Sequence, residues 1–163
     1  MQIAAGKTTA NDNASPAHGP LKPPFRLKTA LSEDASSGLG IRHGRIVVTN
    51  DEDHLFVIVV RTQLNLFIEV TDINLSGVPP LQASNALSAA VKEARKDGAP
   101  VDSVDFTDII GRDADESAVT QKAQQIARIA VPALAELGLA VTDHEGPKWE
   151  GDRCKLILRV SDA

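Results

Sequence analysis

Tyrosine is absent from this sequence, and tryptophan, methionine and cysteine occur once each. With four phenylalanines the aromatic share is 3%, which argues against a platform of stacking rings for single-stranded nucleic acid. The net charge of −5 argues the same way about phosphate backbones and anionic membrane surfaces, so no nucleic acid is expected as a partner. A single Cys154 excludes an intramolecular disulfide and an all-cysteine metal site. No apolar run approaches the ~18 residues of a membrane span, and the N-terminus lacks a hydrophobic leader. The expected location is cytoplasmic, without membrane insertion.

What is present is concentrated between Arg45 and Ile73, in the runs RIVVT, HLFVIVV and LNLFIEVTDI. Valine, isoleucine and phenylalanine suit a pleated surface, so this stretch is read as three consecutive strands. From Leu64 the alternation is regular: Leu64, Leu66, Ile68 and Val70 share one face, with Asn65, Glu69 and Thr71 on the other. Phe67 breaks the pattern by falling on the polar face.

Residues 1–38 hold four of the nine prolines and few long aliphatic side chains. Such a segment buries too little apolar area to offset its ordering entropy, and it is expected to be a flexible, disordered N-terminal tail. Residues 39–163 form the folded α+β domain. After the three strands a helix is expected from an N-cap at Ser84 to about Asp97, stopped by Gly98 and Pro100. A short edge strand follows within Val101–Ile110. A second helix runs from Asp115 to Leu137, kinked or split by Pro132. The chain closes on a hairpin, Leu139–Thr142 and Cys154–Val160, around a long turn holding Gly146 and Pro147. The predicted order is β-β-β-α-(β)-α-β-β: a mainly antiparallel sheet of five to six strands with two helices packed on one face.

No residues assemble into a recognisable catalytic cluster. The acidic run Asp102, Asp105, Asp108, Asp113, Asp115 and Glu116 lacks the spacing of a calcium loop and reads as a solvated face leading into a helix start. Four histidines, His18, His43, His54 and His144, lack zinc-ligand spacing. Asp143-His144-Glu145 reads as a polar turn, and Cys154 as an inert core thiol. No metal, cofactor or catalytic residue is expected.

Arg42-His43-Gly44-Arg45, followed by Asp72-Ile73-Asn74-Leu75-Ser76-Gly77, resembles the two motifs of PilZ domains. That resemblance implies a barrel that binds cyclic di-GMP, with Arg42 and Arg45 on phosphate or guanine and Asp72 and Asn74 on the base. Ile41 stands where the family has its first arginine, and Asn74 where the motif has serine.

The expected function is a non-catalytic protein-interaction module: a chaperone-like adaptor or a subunit of an assembly. Its partner would be another protein or a second copy in a homo-oligomer. Phe25 in the tail, and Phe67 and Ile157 on otherwise polar strand faces, are the candidate interface residues. The alternatives are a degenerate PilZ-like sensor of cyclic di-GMP and a small enzyme using scattered carboxylates and histidines.

Overall fold

A computed structural model of the chain describes residues 25–34, 41–50, 54–61, 67–95 and 100–163. The strands are Phe25–Asp34 (β1), Ile41–Asn50 (β2), His54–Arg61 (β3), Phe67–Thr71 (β4), Ser103–Thr107 (β5), Leu139–Glu150 (β6) and Arg153–Asp162 (β7). The helices are Pro80–Ala94 (α1) and Glu116–Ala135 (α2). All seven strands join one sheet in the order β1-β2-β3-β4-β5-β7-β6.

The architecture is α+β as expected, but the sheet is mixed and larger than predicted. β4 and β5 are parallel, because α1 carries the chain back to the end of the sheet from which β4 started. β5 was expected at an edge; it lies inside, with β4 on one side and β7 on the other. Among the described residues the margins are β1 and β6, so the sheet they form is open and is not the barrel implied by the PilZ resemblance. β1 falls within residues 1–38, where a tail was expected, and pairs antiparallel along the whole of β2. The rest of that segment, including residues 1–24, lies outside the described residues.

One face of the sheet carries the core. Its register aligns Ile46, Ile58, Val70, Phe106 and Leu156 in one row, and Val60, Ile68, Val104 and Leu158 in the next. All nine are buried, and they share a single cluster with Ala86, Leu87, Ala90 and Val91 of α1 and Ile126, Ala130 and Leu134 of α2. The alanines let the helices approach closely, and the Ser84 hydroxyl ties them together by donating to the Ile129 carbonyl at 3.0 Å. Ser84 is thus inside α1 and not its N-cap. The helix starts four residues earlier, at Pro80, because the first helical position needs no N–H and proline's fixed φ suits it.

α2 continues through Pro132 as one element, so the helix is not split there. The proline sits in the last turn and is exposed, and the Glu136 N–H still reaches the Pro132 carbonyl at 3.1 Å. At the other end the Asp115 carboxylate accepts from the Ala118 N–H at 2.8 Å, which satisfies a donor the helix cannot. Asp115→Ala is therefore expected to cost about 1 kcal/mol, a drop of roughly 2–4 °C in Tm. An unchanged melting curve would show the cap to be without energetic weight.

The closing hairpin is longer than expected. Gly146 and Pro147 lie inside β6, at the second of two register shifts along its pairing with β7. Asp143, His144 and Glu145 are consequently strand residues and not a turn.

Candidate functional site

The face of the sheet opposite the helices is built differently. Its central row is Arg45, Val59, Glu69, Asp105, Ile157 and Glu145, neighbours in register across β2, β3, β4, β5, β7 and β6. Phe67, Ser103 and Arg159 make the next row, and Thr107 and Lys155 lie beyond Asp105 on the other side. Parity alone puts them together, since alternate strand residues share a face. Glu69, Ser103 and Thr107 are buried, while Asp105, Phe67, Lys155 and Ile157 are half-buried.

Two carboxylates therefore meet at the parallel β4–β5 pair, Glu69 beside Asp105. Burial pushes the Asp105 carboxyl above its ordinary value, against the lowering effects of the Ser103 hydrogen bond and of the Arg159 and Lys155 charges; Glu69 adds to the rise. The Ser103 hydroxyl donates to Asp105 at 2.8 Å.

The cations around this centre are themselves held by outer carboxylates. Arg153 forks onto Asp108 with its Nε at 3.0 Å and an η-nitrogen at 2.8 Å, and reaches the Thr107 hydroxyl at 3.4 Å. Arg159 pairs with Glu145, Lys155 with Glu150 at 3.0 Å, and Lys148 bridges Glu145 and Glu150 at 3.3 and 3.5 Å. The hydrogen bond from Arg153 holds Asp108 below the usual carboxylate range, and that from Arg159 does the same for Glu145. The outer carboxylates are thereby fixed as anions, whereas Asp105 is the one pushed toward holding a proton. A half-buried acid of raised pKa with a neighbouring carboxylate suits proton exchange with a bound molecule.

β4 and β5 are each followed at once by an aspartate with left-handed backbone, Asp72 at φ 57° and Asp108 at φ 52°, a conformation that aspartate tolerates better than most residues. Asp72 is exposed. The Asn74 side chain accepts from the Ser76 N–H at 3.0 Å, closing a local turn. Arg42, placed by its backbone in β2, and Arg45 lie in the same sheet, but they are not gathered with Asp72 and Asn74. Arg45 is level with Glu69, and Arg42 lies three residues further from the end at which Asp72 emerges. Along the strands, Arg42 is six positions from Asp72, roughly 20 Å.

Phe67 and Ile157 do share a face, the one just described; Phe25 packs against the core instead. Cys154 is buried, with its thiol pushed up by desolvation, in keeping with an inert core residue. No group of three or more histidine, cysteine or acidic residues among the described residues could hold a metal ion.

Asp105 was missed because Asp102, Asp105 and Asp108 read together as a solvated run. The usable signal was parity with Ser103 and Thr107, together with an aromatic, Phe67, on the polar side of a neighbouring strand.

No protein-family model matches the chain, and no curated protein does. Among solved structures it is similar to the N-terminal domain of a ribosomal-protein-alanine acetyltransferase from Clostridium acetobutylicum, at 10% identity over 75% of this chain and 90% of that one, with a TM-score of 0.40. A Bacillus subtilis acetyltransferase in complex with CoA is 13% identical over 83% and 96%, with a TM-score of 0.39. A protein of unknown function from Aquifex aeolicus is 15% identical over 83% and 70%, with a TM-score of 0.43. The expectation of a non-catalytic adaptor is corrected by these findings: the similar structures whose function is named are acetyltransferases. At such scores the likeness carries no activity, substrate or cofactor over to this chain.

Proposed function

We propose that this protein acts on a small polar molecule at the sheet face opposite its helices, with Asp105 exchanging a proton with it. The observation that supports this reading is the Asp105 carboxyl itself. It sits at the β4–β5 junction where burial disfavours its ionised form, Ser103 fixes its orientation by a hydrogen bond, and the nearby cations are engaged by other acids. A charge retained at a cost to folding is what a functional acid looks like. Ser103 and Thr107 offer hydroxyls on either side of it, and Arg159 supplies positive potential at the rim. The reaction class is general acid–base catalysis, with Asp105 as the proton acceptor or donor and Glu69 as the neighbour that raises its basicity.

The pH dependence follows from the direction of the shift. A raised folded-state pKa means that the native protein holds its proton to higher pH than the unfolded chain, so stability falls as pH rises through that interval. Asp105→Asn keeps an oxygen to accept from Ser103 but has no charge to desolvate. Its melting temperature is expected to match wild type below the ordinary aspartate pKa of about 3.9. Above that it should exceed wild type, by a margin that grows until the pH has passed the folded-state pKa of Asp105. In parallel, a thermal-shift screen of small amines, carboxylates and nucleotides should find ligands that stabilise wild type and leave Asp105→Asn unmoved. Equal stability of the two proteins at pH 7, with no ligand told apart by the substitution, would end this reading.

A further inference from the structure

On the helix side, away from Asp105, α2 packs along the marginal strand β6 but leaves a gap. Between them lies a cavity of about 260 Å³. One stripe of α2, Thr120, Ala123, Ala127 and Val131, forms a wall; His144 of β6 stands opposite, and Leu156 of β7 is in the floor. The spacing of three and four residues puts the stripe on a single helical face, and eleven residues of helix extend about 16 Å. The space therefore runs lengthwise along the helix. Two alanines make room on the helix, and Val131 at one end is 45% exposed.

β6 is shaped to match. Its two register shifts, at Val141/Asp143 and Glu145/Lys148, fall along this wall. The second contains Gly146 at φ 92°, where a Cβ would come within 2.6 Å of the Lys155 carbonyl, so the bend depends on glycine. The lining contains no carboxylate, ammonium or guanidinium group, in a chain of which 24% is charged. The volume falls below the ~300–1,000 Å³ of sites for drug-sized molecules.

We infer that this groove binds a single unbranched aliphatic chain, as in a medium-length acyl group, its polar head at the mouth by Thr120 and His144. Its length along the helix and the absence of charged groups in the lining select an extended apolar chain over a charged peptide.

The test is calorimetry of the intact protein with straight-chain carboxylates from hexanoate to dodecanoate, each below its micelle concentration. Each buried methylene should lower Kd about fourfold until the groove is full, after which Kd should level off. Ala127→Phe, which fills the middle, and Val131→Asp, which sets a charge at the end, should each weaken decanoate binding at least tenfold. The already exposed Val131 makes the second variant safe for folding if the first is not. An absence of binding throughout the series would overturn the inference, as would affinity independent of chain length or a folded Val131→Asp protein that binds like wild type.

Discussion

Gly44→Ala is expected to lower Tm by roughly 6–12 °C, the equivalent of about 3 kcal/mol in a protein of this size. Two effects combine. Gly44 has a φ of 142°, a region closed to side chains, where strain costs about 1–3 kcal/mol. Its Cβ would also stand 2.1 Å from the Ala30 carbonyl oxygen and 2.9 Å from the Leu31 Cα. Both are backbone atoms of β1, so no rotamer change can relieve the contact. Opening the β1–β2 ladder is the remaining escape. Hydrogen exchange should show it directly, with amides of β1 losing protection while those of β3, β4 and β5 keep theirs. A variant as stable as wild type, with β1 still protected, would mean that the two strands do not approach in this way.

The second large effect is at Phe106. It is fully buried, level with Val70 on one side and Leu156 on the other. Truncating a buried phenylalanine costs about 3–5 kcal/mol through lost transfer energy and the cavity left behind. Phe106→Ala should therefore lose roughly 8–16 °C in Tm, and Phe106→Leu much less. Chemical denaturation with two probes checks that the transition stays two-state. The contrast with the adjacent residue is informative, since Asp105→Asn is expected to move stability the other way. A loss under about 1 kcal/mol at Phe106 would be incompatible with the packing of a buried aromatic.

Much of the fold was legible where burial and strand chemistry coincide. The β-branched runs gave away β2, β3 and β4, because composition throughout, and alternation in β4, serve the same core. β1 was hidden for the opposite reason. Arg26, Leu27, Lys28, Thr29 and Ala30 are exposed, so the strand is held by backbone pairing to β2, which leaves little trace in side-chain pattern. β5 was visible, but its place was not. Its two faces are both largely buried, as Val104 and Phe106 meet the helices and Ser103 and Thr107 the other side, and five residues cannot report which strands flank them. The candidate site suffered most. Glu69 and Asp105 are 36 positions apart in sequence (105 − 69), and only the parallel register of β4 and β5 makes them neighbours.

The strand order has a further consequence for the newly made chain. β5 finds its partners at Ile68 and Val70 on one flank and at Leu156 and Leu158 on the other. The second flank is therefore bare until residue 158 has been synthesised. β7 follows the other six strands in sequence but sits inside the sheet, between β5 and β6, and it brings Cys154, Leu156, Leu158 and Val160 to the core. A ribosome still holding these residues is presenting an unfinished sheet, whose open inner edge and apolar face are the kind of surface that chaperones hold and aggregates recruit.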